Sequence, residues 1–147
     1  MARFVTSIAT PLSRERAFDA IADISRFAEW DPGIERVERV AGDGRGVGSA
    51  WDLTVRTVGT TVMRYEMTAW ERPRSFVLTA RTRLLRSVDT VRVEAAGTGS
   101  VVTYDARLSL AGPLRLMDPL LGVALRRIGE RAVPGLRRML GGIEARR

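Results

Sequence analysis

The chain has 147 residues, 45% of them hydrophobic and 28% charged, and 24 basic against 17 acidic side chains give a net charge of +7. It contains no His, Cys, Lys, Asn or Gln. A Ser-His or Cys-His triad, a zinc site, a lysine imine and a disulfide are therefore excluded within it, and its chemistry must come from Asp, Glu, Ser, Thr, Tyr, Trp and Arg.

Arg3 to Ala9 reads as a strand in which Phe4 and Thr6 alternate with Val5 and Ser7, and Pro11 ends it. Ser13 is placed to cap a helix, with Arg16 where a capping box would carry Glu. Ala17, Phe18, Ile21 and Ala22 form one apolar stripe on that helix. Ser25 opens a short second helix with Phe27 and Ala28, and Asp31-Pro32-Gly33 is a turn.

Strand-like runs follow at Ile34–Val40, Ser49–Val58, Thr61–Trp70, Ser75–Arg83, Arg86–Glu94 and Ser100–Leu110. Turn signals separate them: Gly42-Asp43-Gly44, Gly59, Arg72-Pro73-Arg74, the Leu84-Leu85 segment and Gly97-Thr98-Gly99. Connections this short predict an antiparallel meander. The glycines Gly42, Gly44, Gly46 and Gly48 fail the spacing of a dinucleotide-binding loop and precede a strand, so they read as a hairpin loop. At the end, Leu116, Leu120, Leu121, Leu125 and Ile128 mark an amphipathic helix. Pro134 predicts a kink or break between Glu130 and Gly135, after which Leu136, Met139, Leu140 and Ile143 continue the apolar face.

Strand alternation sorts the side chains. Trp51, Leu53 and Val55 face inward on one strand, and Met63, Tyr65, Met67 and Ala69 on the next. Phe76, Leu78 and Ala80 follow, then Val91 and Val93, then Val102, Tyr104, Ala106 and Leu108. The same parity puts Ser87 and Asp89 inside. An inward carboxylate needs a partner, and the phenols Tyr65 and Tyr104 are within the same face. The alternative is that Asp89 lies wet at a strand end or pairs with Arg83 or Arg86. The only large apolar element left to cover the sheet is the C-terminal helix, which predicts a cavity between them.

This layout resembles the START-like helix-grip superfamily, in its polyketide cyclase/dehydratase (SRPBCC) branch. The likeness is carried by Ser7-Ile8-Ala9-Thr10-Pro11 with Ala17-Phe18, and by Phe27-Ala28-Glu29-Trp30-Asp31-Pro32. It continues through Gly46-Val47-Gly48-Ser49, Tyr65-Glu66 with Trp70-Glu71-Arg72-Pro73, and Gly99-Ser100-Val101-Val102-Thr103-Tyr104. The resemblance implies an α+β helix-grip fold over residues 1–147 as one domain: a curved antiparallel sheet wrapped around a long C-terminal helix, with two short helices after the first strand. It implies no shared catalytic set.

The expected activity is binding of a hydrophobic small molecule of polyketide, lipid or quinone type. Its wall is expected to include Trp51, Leu53, Met67, Phe76 and Leu78 from the sheet. Val91 and Ala106 extend that wall, and Met117 and Leu121 add the helix. A second reading is a polyketide cyclase or dehydratase with Asp89 as base and Tyr65 and Tyr104 as donors; whether the chain is an enzyme stays open at this point. A third is an interaction module using Arg126, Arg127, Arg131, Arg137, Arg138, Arg146 and Arg147 on an anionic partner. No aromatic-interleaved basic ladder points to nucleic acid, peripheral membrane contact and a homodimer stay open, and no cofactor or metal is expected. Met1 to Leu12 lacks the apolar core of a secretion signal, and the most apolar stretch, Leu114–Leu125, is cut by Arg115 and Asp118. The expected location is cytoplasmic.

Overall fold

A computed structural model describes residues 1–57, 59–141 and 143–144, of which 57, 143 and 144 are described as backbone only. Val58, the Ile143 side chain, Arg146 and Arg147 lie outside the described residues. β1 (Ala2–Thr10) leads into α1 (Arg14–Ala22), a 3₁₀ turn at Ile24–Arg26 and α2 (Phe27–Trp30). The meander follows as β2 (Ile34–Ala41), β3 (Ala50–Thr57), β4 (Gly59–Glu71), β5 (Ser75–Arg81), β6 (Leu85–Ala96) and β7 (Gly99–Leu110). A 3₁₀ segment, Gly112–Met117, leads into α3 (Asp118–Leu140), and a two-residue strand β8 (Ile143–Glu144) ends the described chain.

The strands form one curved sheet in the order β2-β3-β4-β5-β6-β7-β1-β8, and every described pairing is antiparallel. Hairpins join successive strands, with Gly or Pro in or beside every turn but β5–β6, where the Thr82 amide donates to the Leu85 carbonyl; β1 departs from the meander by pairing with β7, Ala2 opposite Leu108 and Thr10 opposite Ser100. The antiparallel order gives the sheet two ends. The β2–β3, β4–β5 and β6–β7 turns share one end with α1. The β3–β4 and β5–β6 turns, the start of β1 and the Gly112–Met117 segment share the other.

α1 forms as its sequence dictates. The Ser13 hydroxyl accepts from the Arg16 amide, satisfying one of the donors left free at a helix start. Its stripe of Ala17, Phe18, Ile21 and Ala22 is fully buried. Phe18 meets Trp70 and Phe76 edge-on, with ring centroids 5.0 and 5.6 Å apart, the geometry aromatic quadrupoles favour. The Arg72 guanidinium ties the β4–β5 turn to α1 through two 2.8 Å bonds to Asp19.

Two expectations are corrected. Ala69, placed inward by alternation, is exposed, and Trp70 turns in instead. The cause is a bulge: the β4–β5 register shifts between Met67 and Ala69, so that Trp70 comes opposite Phe76. One extra residue reverses the face of every residue after it. The C-terminal helix begins at Asp118 rather than at Leu116, and it runs through Pro134 without a break. Asp118-Pro119 suits the start, since proline in a first helical turn loses no backbone bond and an acid there faces the positive end of the helix. Burial of Val133, Leu136 and Leu140 holds the helix on both sides of Pro134. There Gly135 passes so close to the Trp30 backbone carbonyl that a side chain on it would overlap that carbonyl.

Candidate functional site

The sheet and α3 do not close on each other completely. Between them lies a cavity of about 440 Å³, within the usual range of roughly 300–1,000 Å³ for small-molecule sites. Its wall is mostly apolar. Leu53, Tyr65, Leu78, Asp89, Tyr104, Ala106 and Leu121, all expected there, line it. Trp51, Met67, Phe76 and Val91 do not. They are buried in the packed core, where Phe76 meets Phe18 of α1. Alternation fixes the face of a strand residue but not its distance along the strand, and α1 fills one end of that face. Met117 is also displaced: it is 47% exposed, in the 3₁₀ segment before α3.

The polar side of the cavity is a short hydrogen-bonded chain across three strands. Tyr104 on β7 donates its hydroxyl to Asp89 Oδ2 on β6 at 2.6 Å. The Ser87 hydroxyl, two residues along β6 and on the same face, reaches Asp89 Oδ1 at 3.4 Å. Tyr65 on β4 donates to Ser87 Oγ at 3.2 Å. Trp30 from α2 meets the Tyr104 ring edge-on, with centroids 6.1 Å apart. Asp31 also lines the cavity, its Oδ1 accepting from the Gly33 amide at 2.8 Å.

Among the described residues, neither carboxyl has an arginine partner. Arg83 and Arg86 are exposed and make no bond to Asp89. Arg107, the one basic residue among those described at the wall, points its guanidinium toward Asp105, 3.4 Å away, where Arg3 also binds that carboxylate. With no cation to offset burial, the Asp89 carboxyl is pushed up to about 6, against the pull of its bonds from Tyr104 and Ser87. Burial likewise raises Asp31, and the Gly33 amide bond opposes it. Tyr65 and Tyr104 are both raised, by burial first and then by the Asp89 charge, so both phenols stay protonated. The arrangement is one carboxyl that changes charge near neutral pH, flanked by hydroxyl donors in an apolar space.

Sequence reasoning missed several wall residues. Phe4 and Thr6 come from β1, whose place beside β7 is not legible in a meander pattern. Trp30 and Asp31 come from α2 and the turn after it; the Asp-Pro-Gly signal marks the turn, not its position over the cavity. On α3, Leu121 is joined at the wall by Leu125, Ile128, Ala132 and Leu136. Leu125 and Ile128 belong to the apolar stripe read from the sequence, and the same three- and four-residue steps carried onward reach Ala132 and Leu136.

The family described as "Polyketide cyclase / dehydrase and lipid transport" matches residues 1–142. The chain belongs to that family. Solved structures agree on the fold. A Thermus thermophilus protein, TTHA0849, is 19% identical, with 95% of each chain covered and a TM-score of 0.72. A START superfamily protein from Mycobacterium smegmatis is 14% identical over 95% of this chain and 94% of that one, with a TM-score of 0.70. StfQ, a di-domain ARO/CYC of the steffimycin biosynthetic pathway, is 14% identical with a TM-score of 0.70; the match covers 95% of this chain and 49% of StfQ. No curated protein matches by sequence.

Proposed function

We propose that residues 1–147 act as one ligand-binding domain that takes up a hydrophobic small molecule of polyketide, lipid or quinone type. The observation that carries this reading is the cavity of about 440 Å³, mostly apolar and crossed by the hydrogen-bonded line Tyr65, Ser87, Asp89 and Tyr104, with Thr6, Asp31 and Arg107 also at its wall. Apolar walls supply affinity through surface removed from water, and a few convergent polar groups set orientation. A guest carbonyl or hydroxyl is held at Asp89 and Tyr104, and its carbon skeleton lies against Leu53, Leu78 and Leu121. The family description, which couples polyketide chemistry with lipid transport, supports this class of guest. Native mass spectrometry of freshly purified protein tests it. A co-purified apolar mass that the Leu78→Trp variant fails to retain is expected. A bare chain that takes up no apolar guest on addition overturns the reading.

One observation favours a catalytic version. Asp89, raised to about 6, sits 2.6 Å from the Tyr104 hydroxyl. Near neutral pH it exchanges a proton readily, as a general base must. In a cyclase, the Asp89 carboxylate would take a proton from the carbon next to a guest carbonyl. The enolate oxygen so formed would accept a hydrogen bond from the Tyr65 or Tyr104 phenol. Turnover that falls at least a hundredfold in Asp89→Asn, with guest uptake kept, is the expected result. Equal turnover in the variant overturns this version and leaves the binding reading standing.

A further inference from the structure

The sheet end opposite α1 carries apolar side chains that cover nothing. Leu116 is 88% exposed and Leu120 64%. Leu114, Met117 and Val123 from the same stretch are exposed as well, and so is Leu84 in the β5–β6 turn. These residues are neighbours: the Ala111 amide donates to the Leu84 carbonyl at 2.8 Å, which holds the 3₁₀ segment against that turn. A monomer in water gains nothing by gathering so many aliphatic side chains at one end.

The charges around this patch are one-sided. Residues 81–86 and 111–127 contain six arginines and a single acid, Asp118. Asp118 is already engaged, with the Leu110 amide at 3.1 Å and the N-terminal amine at 2.9 Å. Arg81 and Arg86 stand directly opposite each other across β5 and β6, an arrangement that like charges make unfavourable. Arg83, Arg126 and Arg127 are exposed and make no ion pair among the described residues. α3 adds a second feature. Its first half turns Leu121, Leu125 and Ile128 toward the cavity and leaves Leu120 and Val123 outside, on an outer face that also carries Arg126 and Arg127.

The geometry points to this end as a docking surface for an anionic lipid bilayer, with Leu84, Leu116 and Leu120 dipping among the acyl chains and the arginines on the headgroups. No described helix is long and apolar enough to cross a membrane, so the contact is peripheral. Aliphatic insertion and basic attraction together give the two signals that stable peripheral binding needs. The surface stands apart from the identity of the cavity's guest, and its test reads vesicle binding alone.

Sedimentation with phosphatidylcholine vesicles, with and without about one third phosphatidylglycerol, tests the proposal. The wild-type chain is expected to pellet with the anionic vesicles and to be released at roughly 0.5 M salt. Arg126→Gln/Arg127→Gln should weaken that binding roughly 25-fold, about fivefold for each arginine. Leu116→Asp/Leu120→Asp should abolish it while thermal unfolding stays at the wild-type midpoint, since both leucines are exposed. Leu114→Ser/Val123→Ser gives a second, milder apolar variant should the first unfold. Equal binding to neutral vesicles, or anionic binding that survives every variant, overturns the proposal. So does a chain that ignores vesicles and instead dimerises through these leucines in analytical ultracentrifugation.

Discussion

Phe4 on β1 and Gly129 on α3 meet so closely that a methyl group on Gly129 would overlap the Phe4 ring. Both line the cavity, so this contact sets how near α3 lies to the sheet.

Gly129→Ala should therefore change the cavity more than the fold. Replacing a helix-interior glycine by alanine returns about 1 kcal/mol. Overpacking costs about 1–3 kcal/mol, and Phe4, half-buried, relieves part of that by swinging into the empty space. The net stability change should stay within about 1 kcal/mol in denaturant titration, while large apolar guests bind less well than small ones. A variant with the wild-type size preference would show that the Phe4–Gly129 contact does not shape the cavity.

Asp89→Asn should remove a pH dependence of stability. The folded chain holds the Asp89 proton up to about 6, against a usual 3.8. Between those values the native state binds more protons than the unfolded one, so this group's contribution to stability falls as pH rises through the window and stays low above it. At about 1.4 kcal/mol per pKa unit, the penalty above pH 6 is about 3 kcal/mol. Denaturant midpoints from pH 4 to 8 should show Asp89→Asn gaining on the wild type by that order as pH rises. Parallel curves would mean that Asp89 is not strained by burial.

Tyr104→Phe removes the strongest bond that favours the Asp89 carboxylate. The Asp89 carboxyl should then titrate above its present value of about 6, as followed by carboxyl carbon resonances. Stability above that pH should drop by about 1.5–3 kcal/mol, the range for a hydrogen bond to a charged group. An unmoved titration would assign the shift to burial alone.

Phe76→Ala should separate packing from binding. Phe76 is fully buried against Phe18 and Trp70, so its truncation should cost about 3–5 kcal/mol. That lowers the melting midpoint by roughly 6–20 °C at about 2–4 °C per kcal/mol. Guest affinity, measured well below that midpoint, should be unchanged, because Phe76 is not at the cavity wall. A selective loss of affinity with intact stability would put it there after all.

The fold is largely legible because most strands announce themselves twice, once by alternation and once by a Gly or Pro boundary; the β5–β6 turn, Thr82-Arg83-Leu84, has neither Gly nor Pro. The inward set Leu53, Tyr65, Leu78, Asp89, Tyr104 and Ala106 needs only the period-two rule, and no bulge interrupts the β6–β7 ladder that carries Asp89 and Tyr104. Ala69 fails that rule because a bulge has no sequence signature here: Thr68 looks like any outward strand residue. Trp51, Met67, Phe76 and Val91 show a different limit. Alternation gives their face correctly, but whether a face meets α1 or open space is a tertiary fact. Asp31 marks a third limit, since a turn signal says where the chain reverses and not what lies beneath.

The burial gradient along α3 makes one helix into two mechanical parts. All its buried residues, Ala132, Val133, Leu136 and Leu140, lie in the second half, so that half is clamped while the first spans the cavity, held at its far end by the polar bonds of Asp118. Backbone amides at 121–128 should exchange with deuterium well before those at 132–140. A guest could pass by bowing that span outward, leaving the clamped half and the sheet undisturbed.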